Sequence, residues 1–178
     1  MGGKAAMFKY SFPPAVGPGC TVLVLGSLPG EASLQAVQYY AHPRNAFWGI
    51  MGRLCGFSPE LPYEERLRLL NEAGIALWDV VGAGKRTGSL DAHIREERPN
   101  DIPALLRECP GIRAVFCNGG AAYRYLKRYF PDLFSGARFE SIAQLPSTSP
   151  AAAMWSFEEK LRAYEAALSP LVGRRGSV

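Results

Sequence analysis

A Gly/Pro loop, Gly26-Ser27-Leu28-Pro29-Gly30, is followed by a polar and aromatic run, Gln38-Tyr39-Tyr40-Ala41-His42-Pro43-Arg44-Asn45-Ala46-Phe47-Trp48. Small residues let a flat ligand approach the backbone. An aromatic ring can stack on a base, and a carboxamide can hydrogen-bond a base edge or hold a water. Most other chemistries lack their residues. There is no Gly-x-Gly-x-x-Gly, no Walker loop and no Gly-x-Ser-x-Gly elbow. Ser27 and Ser33 have no histidine at a usable spacing. No glycosidase-like carboxylate pair is evident; Asp79 and Asp91 are the only acids near the expected sheet edge. The residues alone point to a nucleobase or nucleotide pocket in an α/β domain.

The elements that must position these residues alternate. Thr21–Leu25 is a continuous apolar run, as in a parallel strand buried on both faces. Further strands are predicted at Ile75–Val81, Arg113–Cys117 and Phe139–Ala143. Helices are predicted at Ala46–Gly56, with Phe47, Ile50, Met51 and Leu54 on one face, and at Glu60–Ala73, Asp101–Glu108 and Ala121–Phe130. A last helix opens on a Ser156/Glu159 capping box and carries Phe157, Leu161, Tyr164 and Leu168 inward. Four strands alternating with helices imply a parallel sheet covered on both faces. All strand C-termini then share one edge, so Gly26–Gly30, Asn118–Gly120 and Pro146–Pro150 should converge on one cleft. Gly82–Ser89, carrying Lys85 and Arg86, reads as a mobile or phosphate-contacting loop. Residues 1–19, with Gly2, Gly3, Pro13, Pro14, Gly17 and Pro18, read as an irregular lead-in to a single domain over 20–170, with 171–178, including Arg174 and Arg175, a flexible tail.

At 178 residues, 48% hydrophobic and 20% charged, the chain has the composition of one ordinary globular domain. No run of about 18 apolar residues suggests a membrane helix, and the N-terminus has no secretory pattern, so a cytoplasmic protein without membrane partners is expected. Cys20, Cys55, Cys109 and Cys117 form no Cys-x-x-Cys pair and sit in apolar segments, the pattern of buried free thiols. With only His42 and His93, nitrogen ligands for a metal are few. The net charge of +4 is compatible with a polyanionic partner.

The first block, with Ala76-Leu77-Trp78-Asp79-Val80, Gly88-Ser89-Leu90-Asp91, Phe116-Cys117-Asn118-Gly119 and Leu145-Pro146-Ser147-Thr148-Ser149-Pro150, resembles the uracil-DNA glycosylase superfamily, most of all its hypoxanthine-DNA (deoxyinosine) glycosylases. The resemblance implies a three-layer αβα sandwich around a four-stranded parallel sheet. It implies a monofunctional DNA-repair enzyme, without AP-lyase activity, metal or cofactor. Such an enzyme acts as a monomer on double- or single-stranded DNA holding a deaminated base, which it flips and releases by water attack.

Mismatch-specific uracil glycosylases, similar in the first block, carry a water-positioning asparagine where this chain has Leu28; the functional asparagine of the hypoxanthine branch maps to Asn45. Asn45 also stands where a helix N-cap would, a reading that the resemblance places second to catalysis. The resemblance assigns the base pocket to Gly26, Ser27, Leu28, Pro29, Gly30, Tyr40, His42, Asn118 and Gly119. DNA contacts are expected of Arg44 and, from the basic loop, of Lys85 and Arg86, and the resemblance adds Ser147, Thr148, Ser149 and Pro150. Each has a plainer reading. Tyr40 could be a core tyrosine, Phe47 and Trp48 are packing residues, Asn118 could cap the next helix, and Asp79 reads as a buried structural acid. A uracil-preferring enzyme, a damaged-DNA-binding domain without catalysis (favoured by Leu28) and an enzyme of free nucleosides are the competing functions.

Overall fold

The computed structural model describes residues 7–173; the expectations placed on Gly2, Gly3, Arg174 and Arg175 lie outside the described residues. A four-stranded parallel sheet runs in the order β3 (Ile75–Asp79), β2 (Val22–Gly26), β6 (Ala114–Asn118), β7 (Ser141–Leu145). A second, antiparallel sheet joins β1 (Phe8–Tyr10), β4 (Val81–Lys85) and β5 (Arg95–Pro99) in the order β1-β4-β5. The helices are α1 (Glu31–Ala36), α2 (Phe47–Cys55), α3 (Tyr63–Glu72), α4 (Ile102–Glu108), α5 (Gly120–Tyr129) and α6 (Phe157–Leu168).

Alternation along the central strands builds two cores. Val22, Val24, Ile75, Leu77, Ala114 and Phe116 face Phe47, Ile50 and Met51 of α2, Leu70 of α3, and Leu161, Tyr164 and Leu168 of α6. Their neighbours Leu23, Leu25, Ala76, Val115 and Cys117 face Ile102, Leu105 and Leu106 of α4, and Ala122 and Leu126 of α5. A strand apolar on both sides therefore acquires a helical layer on each. Each fully buried Leu or Ile contributes about 1.5–3 kcal/mol. The three-layer αβα architecture stands as the sequence implies.

The capping box that opens α6 closes in both directions: Glu159 N–H donates to Ser156 Oγ (3.2 Å), and Ser156 N–H donates to Glu159 Oε2 (2.7 Å). All four cysteines are free; Cys20, Cys55 and Cys117 are buried and Cys109 is half-buried. No helix among the described residues is long and apolar enough to cross a membrane.

Several expected boundaries are corrected. The run 75–81 is not one strand: after Asp79 the chain leaves the central sheet, Val80 and Val81 N–H donate to Gly26 and Ser27 O, and β4 begins a different sheet. Half of the expected Gly82–Ser89 loop is thus strand, paired on both sides. The expected limits 20–170 are crossed at both ends. In the lead-in, β1 pairs with β4, and Ala15 and Leu77 exchange backbone bonds of 2.9 Å each. In the tail, Leu171 O accepts from Thr21 Oγ1 (2.7 Å), and Leu171 and Val172 pack on the core. The last central strand starts two residues later than predicted, at Ser141.

Candidate active site

The C-terminal ends of the four parallel strands, and the loops that leave them, surround a cavity of about 550 Å³. Its wall brings together Gly26–Gly30, Tyr40, His42, Asn45, Asp79, Asn118 and Ser147–Pro150. These are distant in sequence and meet only because parallel strands end on one edge. Arg44 is exposed in an adjoining groove.

Asn45 stands in the wall just before α2. The N-cap position of α2 falls on Ala46, which offers no side-chain acceptor, and not on Asn45 as expected. From one residue earlier Asn45 Oδ1 accepts from Phe47 N–H (3.0 Å), so it serves the first free N–H of the helix while standing in the cavity wall. That bond fixes the carboxamide orientation. It leaves one lone pair on Oδ1 and both N–H groups of Nδ2 for other partners. His42 Nδ1 accepts from Arg44 N–H (3.1 Å). The neutral imidazole therefore carries its proton on Nε2, as a donor.

Tyr40 stacks one face on Phe47, with ring centroids 4.0 Å apart. Its backbone takes φ +56°, a left-handed conformation that costs a non-glycine residue about 1–3 kcal/mol. The Tyr40 hydroxyl is buried beside the Asn118 carboxamide and makes no hydrogen bond of ordinary geometry among the described residues. Beside it lies Asp79, also buried, whose Oδ2 accepts from Ser11 Oγ (2.8 Å). Burial pushes the Asp79 carboxyl up to about 7; the Ser11 bond and Arg86 oppose this, and Asp91 adds to it. Gly26 lets both groups approach, because a Cβ there would stand 2.4 Å from Asp79 Oδ1 and 3.2 Å from Tyr40 Oη.

Asn118 does not cap the helix that follows. Its Nδ2 donates to Thr148 Oγ1 and its Oδ1 accepts from Thr148 N–H, both at 2.9 Å. Thr148 O in turn accepts from Ala46 N–H (3.0 Å). One chain of bonds thus runs from the end of β6, through the Ser147–Pro150 loop, to the start of α2.

Four expected residues are placed otherwise. Gly119 is not in the wall; at φ +95° it heads α5, and a Cβ there would come within 3.0 Å of the Ser147 Cβ. Thr148 is buried, its side chain committed to Asn118, so it presents no hydroxyl to DNA. Arg86, only 2% exposed, is a structural residue. Its guanidinium donates to the carbonyls of Pro29, Leu28 and Gly88 and stands 3.6 Å from Asp91. Lys85 lies on the antiparallel sheet, away from the cavity, paired with Glu96 (2.9 Å). Leu28 lines the cavity yet packs into a small core with Val81 and Ile94.

Sequence reasoning passed over Asp91 and Ser89 as site residues. Asp91 accepts from Ser27 Oγ, and Ser89 Oγ accepts from Glu31 N–H (3.0 Å), so Ser89–Asp91 closes the side of the cavity facing the Gly/Pro loop. The signal was present: Gly88-Ser89-Leu90-Asp91 is one of the blocks that carries the family resemblance.

The family model for the uracil DNA glycosylase superfamily matches residues 13–170. A hypoxanthine DNA glycosylase of Methanosarcina barkeri (strain Fusaro) is 39% identical over 120 residues, 67% of this chain and 76% of that protein. A hypoxanthine DNA glycosylase of Methanosarcina acetivorans is 37% identical over 146 residues, 82% of this chain and 89% of that protein. A solution NMR structure of a Methanosarcina acetivorans protein, provisionally described as a uracil DNA glycosylase, superposes with a TM-score of 0.78 at 35% identity, covering 93% of this chain and 99% of that one. With the fold, the strand-edge cavity and these matches in agreement, the chain belongs to the uracil DNA glycosylase superfamily.

Proposed function

We propose that this DNA glycosylase removes deaminated bases, hypoxanthine first, by hydrolysing the N-glycosidic bond of a nucleotide everted into the strand-edge cavity. The observation that carries the reading is Asn45, held by its own helix with a carboxamide edge left over at the cavity wall. A neutral amide takes up no proton at pH 7, so Asn45 is not a general base. Its free lone pair orients water toward the sugar C1′, and its N–H groups hydrogen-bond the departing base. Base departure leaves an oxocarbenium-like sugar that the oriented water captures.

The cavity volume suits a purine nucleoside. Among the described residues that line it there is no lysine, so none of them offers an amine for a Schiff base with the sugar. This supports a monofunctional enzyme whose products are a free base and an abasic site. Gly26–Gly30 supplies backbone and shape, while His42 Nε2–H is a donor to the base or to a phosphate. Ser147, Ser149 and Pro150 meet the strand beside the everted nucleotide.

The hypoxanthine preference follows the names of two relatives. The description of the related NMR structure favours uracil as the second reading. A gel assay of abasic-site formation on matched duplexes carrying inosine, uracil, xanthine or a G·T mismatch decides between them. Inosine excision fastest of the four is expected. Uracil fastest reverses the preference, and no excision of any leaves only a DNA-binding role.

A further inference from the structure

A second groove of about 550 Å³ begins where the cavity ends, sharing Tyr40, His42 and Asn45 with it. Its charged lining is Arg44, Arg66 and Lys160 against the single acid Glu60. Lys160 is the unusual member. It sits in the first turn of α6, only 5% exposed. Its ammonium donates to Ser149 O (3.2 Å) and makes no ion pair among the described residues. One carbonyl uses one of three N–H donors. Burying an ammonium without a counter-charge is unfavourable, and burial alone pulls this lysine below its ordinary range. Arg66 lies across the groove with its guanidinium over the Trp48 ring, 4.8 Å from the centroid, where Nε is held by Leu61 O (2.9 Å). A buried ammonium with one carbonyl partner and no counter-charge among the described residues, together with a pre-oriented guanidinium in the same groove, calls for a ligand anion.

We propose that this groove is a phosphate subsite, in which Lys160, with Arg44 and Arg66, holds a backbone phosphodiester of the DNA strand next to the nucleotide in the cavity. The inference rests on the glycosylase reading, because the groove adjoins, through Tyr40, His42 and Asn45, the cavity that reading gives to the everted nucleotide. The Lys160–Ser149 bond ties the subsite to the Ser147–Pro150 loop, so phosphate binding and the cavity wall are mechanically joined. A solvated structural lysine would show neither this burial nor this position.

The test is the salt dependence of binding to a duplex carrying a tetrahydrofuran abasic-site analogue, followed by fluorescence anisotropy. Lys160→Met, which keeps the buried stem, should lower the slope of log K against log[salt] by about 0.9, the value of one phosphate contact. It should weaken low-salt binding about tenfold. Lys160→Arg should restore the slope, and Arg66→Met should lower it with Lys160 in place. In a parallel arm, inorganic phosphate alone should raise the melting temperature of the wild type more than that of Lys160→Met. Wild-type slopes in Lys160→Met and Arg66→Met proteins that melt like the wild type overturn the subsite, even if excision by the wild type upholds the glycosylase reading. A phosphate-dependent melting shift without any slope change also overturns it, because the groove then takes a free anion and not DNA. A wild-type chain that binds no duplex removes the glycosylase reading and the subsite together.

Discussion

Both ends of the Asn118 carboxamide are bonded to Thr148, by a 2.9 Å donation to the hydroxyl and a 2.9 Å acceptance from the backbone N–H. Thr148 is 1% exposed, so no water substitutes for either partner. Asn118→Ala leaves a buried N–H and a buried hydroxyl unsatisfied, each costing about 1–3 kcal/mol. The expected loss is about 2–4 kcal/mol in urea unfolding. Excision should fall as well, because the same loop carries the Thr148 O to Ala46 N–H bond that seats α2. Thr148→Ser keeps both bonds and should lose less than about 1 kcal/mol. A small, equal effect of the two substitutions would contradict the coupling.

Asp79 gives the fold a pH dependence of definite sign. Its carboxyl is raised from 3.8 to about 7 in the folded chain, mainly by burial. Between about pH 4 and pH 7 the folded protein holds a proton that the unfolded chain has released. Stability therefore falls as pH rises through that window, by on the order of 4 kcal/mol in all, and then levels off. Asp79→Asn keeps the shape and an acceptor for Ser11 but cannot titrate. From pH 5 to pH 8 its urea midpoint should gain on the wild type by the equivalent of about 2–3 kcal/mol. Parallel pH profiles for the two proteins would place the titration elsewhere.

The parallel sheet was legible because Val22–Leu25 and Ala114–Cys117 are apolar on both faces. The shared cleft followed from alternation alone. What stayed hidden has physical causes. β5 reads Arg-Glu-Glu-Arg-Pro, a mostly exposed edge strand with no hydrophobic alternation to betray it. α1 is six residues long, too short for a period to show. Arg86 misled because arginine in a Gly-rich stretch normally points to solvent. Here the guanidinium satisfies the carbonyls of Leu28 and Pro29 in the Gly/Pro loop, a pairing across 58 and 57 residues that no local pattern signals. Asn45 was visible, but cap and cavity wall looked like competing roles until one hydrogen bond accounted for the first and left atoms for the second.

Because Arg86 braces the Gly26–Gly30 loop from inside, its loss should act on stability and not on electrostatic attraction to DNA. Arg86→Gln strands the carbonyls of Leu28 and Pro29 and leaves Asp91 without its cation. A destabilisation of about 2–4 kcal/mol is expected. The salt slope of duplex binding should match the wild type, since no phosphate contact is removed. A slope lowered by about one unit, with normal stability, would return Arg86 to the DNA surface.

The two duties of Asn45 can be separated with substitutions that keep the cap. Serine and aspartate both accept from the Phe47 N–H, and aspartate also suits the positive N-terminal end of α2. Asn45→Ser and Asn45→Asp should therefore unfold within about 0.5 kcal/mol of the wild type. Both lose the carboxamide N–H groups that hold the departing base; serine also loses the oxygen that orients water, whereas aspartate keeps an acceptor there but places a negative charge against the departing base. Single-turnover excision of hypoxanthine, measured as abasic-site formation with enzyme in excess, should fall by about 10²–10³, the usual effect of removing one preorganised polar group. Asn45→Ala loses the cap too and should be about 1 kcal/mol less stable with an equal loss of rate. Equal rate loss across three variants of unequal stability is the signature of a group acting on the substrate and not through the helix. Wild-type rates in the serine and aspartate variants would leave Asn45 a helix cap alone.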